Sequence, residues 1–130
     1  MAASPRLKTP PGACDTHIHI YDKRYPTAKT AVMTPPDASV ADYKMVQQRL
    51  GLSRVIVVQP TTYGTDNRCT VEAIAALGIA NARGIAVVDT SVTDAELARL
   101  TKAGIRGLRC QMLPGGALPW EMVEELAARI

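Results

Sequence analysis

Two histidines, the only two in the chain, stand two positions apart in Asp15-Thr16-His17-Ile18-His19-Ile20. The apolar, β-branched surroundings predict a strand over about 13–20. On a strand, residues i and i+2 project to one face. Both imidazoles are therefore expected on one face together with Asp15, with Thr16, Ile18 and Ile20 on the other. Two polar rings side by side in an apolar element call for a partner such as a metal ion, an anion or a substrate. Two imidazoles can share a divalent ion, although zinc takes at least three protein ligands. The alternative is a polar pair satisfied by carboxylates in a sheet core.

Two further segments carry candidate chemistry. Gln59-Pro60-Thr61-Thr62-Tyr63-Gly64-Thr65-Asp66-Asn67 closes an apolar run and leads into a helical pattern. Its hydroxyls, an amide and the helix N-terminus suit an anionic or hydroxylated ligand, with Thr61, Thr62 and Tyr63 as pocket-lining candidates. Asp66 and Asn67 are expected to cap the helix. Arg109 lies in a strand-like run beside Leu108 and Cys110. A guanidinium inside a strand is costly unless paired. Either its fork meets a substrate carboxylate, or it bridges to an inward carboxylate such as Asp15 or Asp89.

The elements that must position these residues follow from periodicity and caps. Ser39 and Asp42 form a capping pair for a helix over 39–50, with Val40, Tyr43, Val46 and Leu50 as its apolar stripe and Gly51 as its stop. Strands are expected over 54–59, 84–88 and 105–110, and a second helix from about 66 to 78. Thr93 and Glu96 form a capping box for a third helix ending at Gly104, and Pro119 opens a fourth. The Pro-rich connection over 21–37 is long enough to be a functional loop. Residues 1–12 read as an extended arm ahead of a domain over 13–130.

Four strands alternating with four helices mean a parallel α/β architecture, either a doubly wound sheet or a (β/α)₈ barrel. Polar groups near the C-terminal end of the first strand favour the barrel, whose sites lie at that end. The run Glu124–Ile130 continues a helical pattern without a stop signal. The expected architecture is thus the N-terminal half of a TIM barrel, about four βα units, truncated after the fourth helix.

The composition narrows the function classes. Hydrophobic residues make up 47% and charged residues 21% of the 130, which is globular and excludes disorder. The net charge of +3 comes from scattered residues with no basic run, so nucleic-acid binding is not expected. Three cysteines without CxxC spacing exclude a disulfide framework or zinc ribbon. Cys14 and Cys110 are expected as buried small residues in strands, and Trp120 and the methionines as packing. Neither a signal peptide nor a membrane span is expected, so a cytoplasmic location is the default reading.

Asp15-Thr16-His17-Ile18-His19, Val58-Gln59-Pro60, Gly64-Thr65-Asp66-Asn67 and Gly104-Ile105-Arg106-Gly107-Leu108-Arg109, in that order, resemble the amidohydrolase superfamily. The similarity is to its amidohydrolase-related branch, which includes lactonases of pyrone dicarboxylates and sugar acids. The resemblance implies a distorted (β/α)₈ barrel and hydrolysis of a carboxylate-bearing lactone. By position it implies that His17 and His19 contact the lactone or one divalent zinc or manganese ion, that Thr61 and Thr62 line the pocket, and that Arg109 holds a carboxylate. Some members work without metal. The water-activating aspartate of the resemblance belongs to an eighth strand. Leu113-Pro114-Gly115-Gly116-Ala117 resembles a lactone isomerase of the branch, so isomerisation is the alternative activity. A second arginine of the pyrone-dicarboxylate enzymes falls here on glycine, which weighs against an aromatic dicarboxylate substrate. Half a barrel is further expected to be inactive alone and to pair copies through its open edges.

Overall fold

Local capping chemistry begins each helix where the backbone amides need partners. The Ser39 side chain accepts from the Asp42 amide while the Asp42 carboxylate takes the Ser39 amide, starting α1 (Val40–Leu50). Gly51 stops it in the left-handed region at φ 69°, where its N–H returns to the carbonyls of Gln47 and Gln48. Thr93 caps α3 (Asp94–Lys102) by accepting from the Glu96 amide. The expected box is only half made, because the Glu96 carboxylate is taken by the Arg99 guanidinium at 2.7 Å.

The computed structural model describes residues 5–111 and 113–130. The first four residues of the expected arm lie outside the described residues. Between the helices run β1 (Cys14–Ile18), β2 (Arg54–Val58), β3 (Ala82–Ala86) and β4 (Ile105–Leu108). After β2 come a 3₁₀ turn at Thr61–Tyr63 and α2 (Arg68–Leu77), and after β4 a 3₁₀ turn at Trp120–Met122 and α4 (Val123–Ala127). The strands form one parallel sheet in the order β1-β2-β3-β4. Sequential βα units in that order are those of the N-terminal half of a (β/α)₈ barrel.

The core lies between the sheet and its helices. Val55 and Val57 of β2, Ala82, Gly84 and Ala86 of β3, and Ile105 of β4 pack with Ile74 of α2, Leu100 of α3 and Leu126 of α4. Gly84 keeps this packing close, since a Cβ would stand 2.5 Å from Ile74 Cδ1 and 2.7 Å from Ile105 Cδ1, and both side chains would have to shift. The opposite face, carrying Ile56, Ile85 and Gly107, is only partly covered.

Several expectations are corrected. β3 begins two residues earlier than expected and ends at Ala86. Val87 beyond it pairs with the Asn67 side chain instead of a strand, donating at 2.9 Å and accepting at 2.7 Å. β4 ends at Leu108, which leaves Cys110 exposed rather than buried. Trp120 is 69% exposed, and Met33 and Met45 also face outward, so these side chains are not core packing. In α1 only Tyr43 is buried, while Val46 and Leu50 of the expected stripe are exposed. Among the described residues no helix is long and apolar enough to cross a membrane.

Candidate active site

The two histidines meet where β1 leaves the sheet. Their rings lie 5.0 Å apart, edge to face at 87°. Lateral partners in a sheet point the same way, and Val57 shares its face with Gly84, which looks at Ile74 of α2. Ile18 pairs with Val57, so it faces the helices, and His17 and His19 face the open side.

Asp15 does not join them. It pairs with Val55 and Ile18 with Val57, so β1 spends one more residue than β2 between these points. Such a bulge reverses the faces across it. Asp15 therefore turns to the helix side, where the buried Tyr43 donates its hydroxyl to Asp15 Oδ2 at 3.4 Å. The expectation of a shared Asp15–His17–His19 face is overturned by this slip.

His19 is fixed by β2. Its Nδ1 lies 2.7 Å from the Val58 carbonyl oxygen. A carbonyl only accepts, so Nδ1 carries the proton and Nε2 presents its lone pair. Burial lowers the His19 pKa below the usual 6.5; the Val58 carbonyl opposes this, and Arg109 and His17 nearby add to it.

Arg109 reaches the same place from β4. Gly84 pairs with Ile105 but Ile85 with Gly107, so β4 also carries an extra residue. Leu108 pairs with Ala86 on the helix side, which turns Arg109 to the face of the histidines. Its amide donates to the Ala86 carbonyl at 2.7 Å. The guanidinium Nη1 donates to the Gln59 carbonyl at 2.8 Å and Nη2 to the Gln111 side-chain oxygen. Neither Asp15 nor Asp89 reaches it; Asp89 instead accepts from the amide and hydroxyl of Ser91. Among the described residues no carboxylate pairs with Arg109, and burial lowers its pKa.

The 3₁₀ turn after β2 splits the hydroxyl candidates. Thr61 is partly exposed, while Thr62 is buried and its carbonyl takes the Ala28 amide at 2.8 Å. Tyr63 is buried, and its hydroxyl accepts from the Asp22 amide at 2.8 Å and donates to the Asp22 carbonyl at 3.0 Å. It latches the long loop onto the turn, and its hydroxyl is not offered to a pocket as expected. Asp66 receives the Arg68 amide at 3.2 Å, but Asn67 makes no cap bond, being spent on Thr65 and Val87.

Gln59 and Tyr21 are residues that spacing did not single out. Gln59 is fully buried: Nε2 donates to the carbonyls of Gly64 and Asp66, and Oε1 accepts from Thr70 at 2.6 Å. A lone amide ending an apolar strand was the available signal. Tyr21 follows His19 by two positions, with ring centroids 6.0 Å apart.

The imidazole pair supplies at most two metal ligands. Among the described residues no group of three or more His, Cys, Asp or Glu side chains is gathered to hold an ion. These residues alone fall short of a complete zinc site.

A model of the amidohydrolase family matches residues 14–130. The chain is 39% identical to a 2-pyrone-4,6-dicarboxylate hydrolase of Comamonas testosteroni, over 98% of this chain and 43% of that protein. It is 36% identical to a D-galactarolactone isomerase of Agrobacterium fabrum, over 88% of this chain and 40% of that protein. A ligand-free crystal structure from Agrobacterium tumefaciens superposes with a TM-score of 0.89 at 31% identity, covering 97% of this chain and 46% of that one. The chain spans about two-fifths of the length of the curated relatives it matches.

Proposed function

This chain belongs to the amidohydrolase family, and on that premise we propose that its site binds a carboxylate-bearing lactone and opens the ring by hydrolysis. The observation that carries the proposal is the Arg109 guanidinium, partly buried beside His19 and held, among the described residues, only by neutral acceptors. A cation so placed is completed by an anion, and its fork matches a carboxylate.

In this reading Arg109 anchors the substrate carboxylate and Thr61 and Thr62 border the pocket. His19, neutral with its Nε2 lone pair open, takes the proton of the attacking water. The water oxygen adds to the lactone carbonyl, the ring C–O bond breaks, and the departing alkoxide is protonated to give a hydroxy acid. His17 faces the developing oxyanion. The aspartate implied by the resemblance would share the base role from an eighth strand. A zinc or manganese ion, where present, would take His17 and His19 Nε2 as two of its ligands and supply Lewis acidity, and the base role would then fall to that aspartate alone. The reading places the protein in the cytoplasm, with small-molecule substrates and no nucleic-acid or membrane partner, and four βα units alone would be inactive and pair through the β1 and β4 edges.

Isomerisation is the second reading, favoured by the 36% identity to a galactarolactone isomerase. There a substrate hydroxyl replaces water at the same carbonyl. Incubating the full-length protein with aldarolactones and following products by NMR separates the two. Open-chain hydroxy acid supports hydrolysis, ring exchange without acid supports isomerisation, and unchanged lactone overturns both.

A further inference from the structure

The chain has four tyrosines, and three spend their hydroxyls on the protein. Tyr25 donates to Glu72, Tyr43 to Asp15 and Tyr63 to the Asp22 carbonyl. The Tyr21 hydroxyl makes no hydrogen bond among the described residues. No fully buried side-chain oxygen or nitrogen among them lacks a partner, so the Tyr21 oxygen keeps some contact with solvent. Its backbone is fixed, since Tyr21 and Ala38 exchange both hydrogen bonds, at 3.0 and 2.9 Å. Its ring is wedged between His19 at 6.0 Å and Tyr63 at 6.4 Å. An immobilised phenol with a free O–H thus stands beside the imidazole that neighbours Arg109.

We propose that Tyr21 is a substrate-contacting specificity residue whose hydroxyl, together with the Arg109 guanidinium, grips a carboxylate of the ligand. The grip rests on the carboxylated-lactone reading and deepens it by naming a second donor. One O–H added to a guanidinium fork gives the anion a second donor of a different kind, which a single cation does not. The phenol remains a donor at neutral pH, since burial raises its pKa against the opposing field of Arg109. Tyr63, the pocket candidate from sequence, cannot substitute, because both functions of its hydroxyl are taken.

The test compares Tyr21→Phe with the unmodified full-length protein. The phenyl ring keeps the contacts with His19 and Tyr63 and the backbone bridge to Ala38, so the melting temperature is expected to stay unchanged. Tricarballylate is the carboxylate probe and its trimethyl ester the uncharged control, both measured by calorimetry. The expected result is a ~10-fold or greater loss of tricarballylate affinity in Tyr21→Phe, as for a hydrogen bond to a charged group, with no change for the ester. Equal tricarballylate affinity in the two proteins, equal losses for acid and ester, or no tricarballylate binding at all would each overturn the grip. Failure to open any lactone while the tricarballylate difference persists would instead sink the hydrolytic reading and leave the grip standing.

Discussion

His19 Nδ1 lies 2.7 Å from the Val58 carbonyl oxygen, so the ring at the end of the first strand is held by the strand beside it. That bond decides which nitrogen can act. In ¹⁵N spectra the neutral His19 ring should show a protonated Nδ1 and a bare Nε2. Loss of that tautomer in the folded protein would remove the base role argued above.

The same burial makes a pH prediction. His19 is lowered below 6.5 on folding, so between its folded value and 6.5 the unfolded chain binds more protons than the native one. Stability from this group is full above pH 6.5 and declines as the pH falls through that window. The His19 resonance should titrate below 6.5, and chemical unfolding should become easier from pH 7 to 5 by more in the parent than in His19→Gln.

Arg109→Lys keeps the charge and loses the fork. One ammonium cannot serve the Gln59 carbonyl, the Gln111 side chain and a carboxylate in the same plane. We expect kcat/KM on a carboxylated lactone to fall ~10²-fold or more, as for loss of a charged, oriented donor. Steady-state kinetics giving an unchanged value would show that Arg109 does not hold substrate.

Gln59→Leu is close in volume but strands the carbonyls of Gly64 and Asp66 and the Thr70 hydroxyl. Buried polar groups left unpaired predict a loss of ~2–4 kcal/mol in urea unfolding. Thr70→Val, which removes one bond of the set, should cost about 1 kcal/mol.

Gly84→Ala places a methyl 2.5 Å from Ile74 Cδ1 and 3.1 Å from the Val57 carbonyl oxygen. Side chains can give way but the strand backbone resists, so a loss of ~1–3 kcal/mol is expected in thermal or urea unfolding.

The three thiols should react in an order set by cover. Cys110 is exposed, Cys14 intermediate and Cys69 buried, with burial pushing the Cys69 thiol up to about 11. A chromogenic disulfide at pH 8 should modify Cys110 first and Cys69 only after unfolding. Early loss of Cys69 would mean that the loop over α2 opens in the native state.

Local signals in the amino-acid order carried the elements. Apolar runs, the Ser39–Asp42 box, the Thr93 cap and the Gly51 stop are short-range effects, and the structure has all of them. The two-residue spacing also placed His17 and His19 together, and their rings lie 5.0 Å apart. Strict alternation fails across a bulge, and both edge strands have one. One slip sends Asp15 to the helices. The other decides the side of Arg109, because alternation from helix-facing Ile105 would have put it among the helices as well. Which hydroxyl is free was equally invisible, since Tyr63 finds its partner in Asp22, 41 residues away in the chain. Periodicity is a property of neighbours in the chain and can be read there. Register and hydrogen-bond pairing are properties of strands meeting across the sheet, such as His19 with Val58, 39 residues apart, and Arg109 with Gln59, 50 apart, and only the folded sheet decides them.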